Sequence, residues 1–195
     1  RNFAVQHWGV TPDIVVTSKG LSSGYAPLAA VIVSPQVVEV VAYGSGAHMH
    51  GFTYSSHPIS LAAGRAVLNH IKQHDLVNAA DSDHSGTIAA KLKDGLRALQ
   101  GLATVGDVRG IGLLWAIEFV ADKDSKTPYP TNRNFSGLVA QAATDRGLLV
   151  YPGQGCAGAD RGDHILLAPP AVVSPEQVDW ACEQLRQAIS EATPQ

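Results

Sequence analysis

The stretch Pro12-Asp13-Ile14-Val15-Val16-Thr17-Ser18-Lys19-Gly20-Leu21-Ser22-Ser23-Gly24-Tyr25 governs the reading of the whole chain. A short β-branched run ends in a lysine, and a glycine/serine turn follows at once. Residues 13–17 are apolar in succession rather than in alternation. That pattern predicts a strand covered on both faces, as in an α/β sheet. A lysine at the mouth of such a strand is desolvated, which favours its neutral form. A neutral amine is a nucleophile able to condense with an aldehyde. The plainer reading is a surface lysine that happens to end a strand, and these residues alone leave both open.

The remaining composition narrows the class. The chain has 195 residues, enough for one large domain or two small ones. Net charge is −3 with no basic block, which argues against a nucleic-acid partner. Cys156 and Cys182 have no paired spacing. This speaks against a disulfide scaffold or a cysteine zinc site, and it fits a reducing compartment, so a cytoplasmic location is expected. No apolar run approaches ~18 residues, so no membrane span is expected, and the first residues do not read as a signal peptide. The chain starts at Arg1, and Met49 is its only methionine. This leads to the expectation that a longer protein has been truncated.

Outward from the lysine, residues 28–33 predict a second strand, and Pro35 opens a short helix to Val41. Residues 43–57 read as a loop crowded with glycine, hydroxyl and aromatic side chains. Pro58 opens a long helix with Ile59, Ala62, Ala63, Ala66, Val67 and Ile71 on one face. A helix over 82–100 places Ile88, Leu92, Leu96 and Leu99 inward, and Gly101 caps it. Residues 104–120 read as two strands around a glycine turn. A helix follows with Phe135, Leu138, Val139, Ala142 and Ala143 inward, ending at Gly147. Residues 148–151 and 164–168 are expected strands, separated by a glycine-rich loop. Ser174, Pro175 and Gln177 give a capping box and a first-turn proline for the last helix. Its expected buried stripe is Val178, Ala181, Cys182, Leu185 and Ile189. The fold class is therefore α/β, with residues 1–100, including the connecting helices, as the first part and 101–195 as a smaller α+β domain.

Several chemistries compete for the loop at 48–57. His48-x-His50 with His57 raises a metal site, but no acidic residue lies between Glu39 and Asp75 and no HExxH pattern occurs. Local hydrogen bonding is the simpler reading, and no metal is expected. Thr53, a hydroxyl just before a helix N-terminus, suits a phosphate. No G-x-S-x-G elbow, Walker loop or dinucleotide fingerprint is present.

Four segments together resemble one family. Pro12 to Leu21, followed by Pro27-Leu28-Ala29-Ala30-Val31, is similar to the lysine segment of class-III pyridoxal-phosphate-dependent aminotransferases, the ω-transaminase group. Gly51-Phe52-Thr53-Tyr54-Ser55-Ser56-His57-Pro58 resembles that family's phosphate-loop threonine segment. Val108-Arg109-Gly110-Ile111-Gly112-Leu113-Leu114 and Gly162-Asp163-His164-Ile165-Leu166-Leu167-Ala168-Pro169-Pro170 resemble its C-terminal domain. The four occur in the family's order.

The resemblance implies a partial fold-type-I large domain followed by the small domain. It implies that Lys19 holds pyridoxal 5'-phosphate as a Schiff base and shuttles the substrate proton. Thr53 would bind the phosphate across the interface of a homodimer. Arg161, just before the Gly-Asp-His segment, would bind a substrate carboxylate in bidentate fashion. Asp160 and Asp163 flank it, so a surface ion pair is the competing reading. Arg109, between two strands, reads as structural. The implied reaction moves an amino group between an amine or amino acid and a 2-oxo acid. The alternatives are a non-catalytic remnant that keeps the fold for packing or partner binding, or a related decarboxylase, aminomutase or racemase. The family's pyridine-pairing acid, phosphate-cradling glycine/serine loop and ring-stacking aromatic are not identifiable here. The chain by itself is therefore expected to be inactive or nearly so, and prone to association.

Overall fold

A computed structural model describes residues 1–158 and 161–194. The chain divides into two compact units, Arg1–Val77 and Asn78–Gln195.

In the first unit, β1 (Ile14–Thr17) pairs antiparallel with β2 (Ala30–Val33), with Val16 opposite Val31. Pro35 opens α1 (Pro35–Tyr43). Pro58 opens α2 (Pro58–Gln73) after the cap residue His57, whose Nδ1 accepts a hydrogen bond from the Ser60 amide at 3.4 Å. Two expectations need correction. The strand expected to be covered on both faces is open on one: Val16 is 74% and Val31 65% exposed. Among the described residues β1 has only β2 as a strand neighbour, so no layer lies over that face. The inner face of α2 is also rotated from the expected one. Ser60 and Gly64 are buried and Ala63, Val67 and Ile71 half-buried, whereas Ile59, Ala62 and Ala66 are exposed. The helix turns its smallest side chains inward because Gly64 lies against Leu28 and the Leu21 carbonyl.

A single helical turn, α3 (Leu76–Ala79), spans the point where the units part. The second unit begins with turns, and α4 (Ile88–Ala98) starts later than the apolar period predicts. Thr87 Oγ1 accepts from the Ala90 amide at 3.1 Å as its cap, and Gly86, at φ +84°, holds the preceding residues out of the helix. Next come β3 (Val105–Ile111) and β4 (Leu114–Phe119), a hairpin closed by Gly112 at φ +59°. Then follow α5 (Phe135–Asp145), β5 (Tyr151–Gly153), β6 (His164–Leu167) and α6 (Pro175–Ala192). The strand expected at 148–151 forms later because the Leu148 amide bonds back to the Ala143 carbonyl at 2.9 Å to end α5. The capping box of α6 is formed: the Ser174 amide donates to Gln177 Oε1 at 2.9 Å, and the Gln177 amide donates to Ser174 Oγ at 3.2 Å.

The four strands form one antiparallel sheet in the order β3-β4-β6-β5. Trp115, Ile117, Phe119 and Ile165 point from it into a core shared with Leu92, Leu96, Phe135, Val139, Leu185 and Ile189 of the helices. Helix α4, read from sequence as part of the first half, packs against α6, where Gly95 lies against Cys182 Sγ. Leu138 is 42% exposed and Ile88, Ala181 and Cys182 are half-buried, so the expected helix faces are right in centre and wrong at their margins.

Candidate functional site

Lys19 is the first residue of a 3-10 turn, Lys19–Leu21, that follows β1 directly. Its φ is +49°, in the left-handed region that side chains with a Cβ disfavour by roughly 1–2 kcal/mol. Ser23 (φ +53°) and Gly24 (φ +79°) repeat that conformation at the far end of the turn. The buried Ser22 ties the turn down, its hydroxyl donating to the Ala26 carbonyl at 2.5 Å. The chain is thus forced into a tight reversal exactly where the strand ends, and the lysine is its outermost residue. Lys19 is exposed rather than desolvated, so burial does not activate its amine within this chain. Among the described residues it makes no ion pair or side-chain hydrogen bond, and the amine is accessible.

Thr53 lies in the turn before α2, also exposed and with no hydrogen bond to its hydroxyl among the described residues. The turn is pinned on either side of it. The Phe52 amide donates to Ser55 Oγ at 3.0 Å, the Ser55 amide to the Phe52 carbonyl at 2.9 Å, and the His57 amide to the Tyr54 carbonyl at 3.3 Å. A cavity of about 630 Å³ lies between this loop and the strands, lined by Val16, Leu28, Val31, His48, Phe52 and Tyr54 among others. Neither Lys19 nor Thr53 lines it. His48, His50 and Phe52 stack edge-on in sequence, at ring separations of 6.0 and 5.0 Å. Among the described residues no group of three or more His, Cys, Asp or Glu side chains is placed to share a metal.

Arg161 is in the second unit and exposed. Its carbonyl accepts from the Gly155 and Ala157 amides, both at 3.0 Å. Asp160 lies outside the described residues, and Asp163 does not pair with Arg161. Asp163 is 1% exposed and turned inward, its Oδ1 accepting from the Ser136 amide and hydroxyl at 2.9 Å each and from Gln154 Nε2 at 3.3 Å. Arg109 has the structural role its position suggests. Its Nη1 donates to Glu118 at 2.6 Å and Asp107 at 2.8 Å, across and along the β3–β4 hairpin. The bond to Glu118, then that to Asp107, hold its pKa above the ordinary arginine value. Cys156 is exposed as a residue, yet its Sγ donates to the Gly162 carbonyl at 3.0 Å. Desolvation of that sulfur first, and Glu118 second, push the thiol up to about 11.

The sequence reading missed Ser22, Gly64, Gln154, Ser136 and the inward turn of Asp163. Asp163 and Ser22 lie in the very segments quoted for the resemblance. Nothing local signals their burial.

The profile of the aminotransferase class-III family matches residues 1–189. This chain belongs to the class-III aminotransferase family. It is 39% identical over 191 residues to the uncharacterized aminotransferase YodT of Bacillus subtilis, covering 98% of this chain and 41% of that protein. A transaminase from the marine bacterium Virgibacillus superposes with a TM-score of 0.89 at 33% identity, over 97% of this chain and 41% of that one. The PMP-bound aminotransferase of Vibrio fluvialis gives a TM-score of 0.85 at 28% identity, over 98% of this chain and 40% of that one. The chain thus spans about 40% of the length of the relatives it matches. The partial fold-type-I fold expected from the sequence is the one these superpositions show. No described helix is long and apolar enough to cross a membrane.

Proposed function

We propose that this chain supplies the lysine and threonine segments of a pyridoxal-phosphate-dependent transaminase acting between an amine or amino acid and a 2-oxo acid. The observation that carries the reading is Lys19 itself. It is held in a strained left-handed turn at a strand end, with a free, accessible amine, inside a family match that runs from residue 1 to 189. Strain of this kind persists where the surroundings over-determine it, and it concentrates at working sites.

The donor set fits the cofactor: a primary amine for its aldehyde and an unengaged hydroxyl for its phosphate. When bound, pyridoxal phosphate supplies an electron sink for negative charge developing on the substrate carbon. Lys19 Nζ would hold the aldehyde carbon and then move the proton taken from the substrate carbon. Thr53 Oγ1 would donate to a phosphate oxygen, in our reading that of a second subunit. Arg161 would orient a substrate carboxylate. In this reading the first unit belongs to the large cofactor-binding domain and the second is the small domain. The open, apolar face of β1 and β2 supports a chain that is incomplete for catalysis when alone.

The test is to add pyridoxal phosphate to the purified chain and to its Lys19→Ala variant. Visible absorption and borohydride-trapped cofactor are then located by peptide mass. Label on Lys19 that disappears in the variant is the expected result. Equal label in both proteins would reject the assignment. Turnover by the chain alone would overturn its dependence on residues elsewhere. Lys19-dependent labelling in a complete subunit that never transaminates would favour a non-catalytic remnant.

A further inference from the structure

We infer that Asp163, with Gln154, is a positioning residue for Arg161: the buried carboxylate anchors the loop that carries the arginine to the N-terminus of α5. The inference rests on the reading of Arg161 as a carboxylate binder and goes beyond it to say what sets the arginine's place.

Asp163 stands two residues after Arg161 at the mouth of β6. It is 1% exposed, and three of its groups are engaged at once. Its carbonyl accepts from the Phe119 amide at 2.8 Å, which fixes its backbone to the end of β4. Its Oδ1 takes the Ser136 amide and hydroxyl at 2.9 Å each, a cap supplied to α5 from 27 residues away. The same oxygen takes Gln154 Nε2 at 3.3 Å, from the other limb of the loop. One oxygen thereby joins the loop's entry, its exit and a helix end. A carboxylate at a helix N-terminus is favoured by the helix dipole, which helps keep this one charged although Oδ2 is buried without a partner.

The loop between the anchors is also closed on itself. The Gly155 and Ala157 amides both donate to the Arg161 carbonyl, and Cys156 Sγ donates to that of Gly162. Gly162, at φ +89°, admits no side chain: a Cβ there would lie 2.5 Å from the Ala157 nitrogen and 2.6 Å from Cys156 Sγ. Such closure defines the backbone at Arg161, while the Asp163–Gln154 contact fixes the closed loop to the core. A bidentate guanidinium clamp needs its backbone placed to within a fraction of an ångström, and this pair is the device that places it.

Gln154→Ala cuts the loop's bond and leaves the cap on α5 intact. Two measurements on the full chain decide the matter. The first is amide exchange at Gly155 and Ala157, which reads loop anchoring without any ligand. We expect it to rise about 10-fold in Gln154→Ala while exchange at Ile117 in β4 is unchanged. The second is titration of the Arg161 side-chain NMR signal with 2-oxoglutarate. Binding should weaken several-fold in Gln154→Ala and more in Gln154→Glu, which sets two carboxylates together, with the unfolding midpoint near wild type in both. Asp163→Ala serves as the variant that also loses the helix cap. Its unfolding midpoint should fall, whereas that of Gln154→Ala should not. Unchanged exchange at Gly155 and Ala157 in Gln154→Ala overturns the anchoring. Faster exchange with unchanged 2-oxoglutarate affinity leaves Asp163 a structural residue only and overturns the positioning. If wild type shows no Arg161-dependent response to 2-oxoglutarate, the carboxylate reading of Arg161 falls, and the exchange ratio still decides whether the loop is anchored as described.

Discussion

Gly64 on α2 lies so close to Leu28 that a methyl group on its Cα would sit 2.4 Å from Leu28 Cδ2 and 3.5 Å from the Leu21 carbonyl. Leu21 ends the lysine turn, and α2 begins five residues after Thr53, so this one contact locks the two segments of the first unit together. Gly64→Ala forces the flexible end of Leu28 aside, and Gly64→Val presses further into the turn. The expected loss is about 1 kcal/mol for alanine, and the valine should lie toward the upper end of the ~1–3 kcal/mol range for overpacking. Urea unfolding monitored on the first unit measures it. Alanine as stable as glycine would show that the helix does not bear on the turn.

The left-handed backbone at Lys19 makes a second, sign-specific prediction. Both Lys19→Gly and Lys19→Ala remove the amine, but only glycine relieves φ +49°. Lys19→Gly should be the more stable of the two by about 1 kcal/mol. In an ordinary extended or right-handed position alanine would win, so the order of their denaturation midpoints is decisive.

Cys182 reports on the packing of α4 against α6. Desolvation first, and Asp179 second, push its thiol up to about 11. A group held protonated in the folded chain contributes stability that is fully present below the unfolded value. That contribution is lost as pH rises through the folded value. The window here is between about pH 9 and 11. Wild type should lose stability across it faster than Cys182→Ala. At pH 8 the folded thiol should react with iodoacetamide roughly 100-fold more slowly than a free cysteine, from the thiolate fraction alone.

Val16 and Val31 are cross-strand partners that face solvent together. Val16→Lys should change stability by less than about 0.5 kcal/mol, because it alters an exposed position. It should nonetheless reduce association of the chain, which sedimentation velocity at rising concentration would show. Unchanged association would locate the adhesive surface elsewhere.

The helix starts at Pro58 and Pro175, the strands around Val16 and Ile165, and the Gly112 turn were all legible, because each is a local decision of capping, β-branching or positive φ. Lys19, Thr53 and Arg161 were legible as candidates through their neighbours in sequence. Their surroundings were not. The sequence suggests a desolvated lysine, and the structure exposes it, since the layer that would cover β1 is not among the described residues. The α2 face was misjudged by counting apolar residues, whereas close packing selected the small ones around Gly64.

By itself, then, the sequence determined the family, the order of elements and which residue carries the amine. Tertiary structure decided the strained conformation of Lys19, the inward turn of Asp163 and the seat of Arg161. The physical reason is range. Caps and periodicity act within a few residues, but the Asp163–Ser136 bond joins positions 27 apart. Whether a carboxylate next to an arginine pairs with it or turns inward depends on where that distant helix end lies.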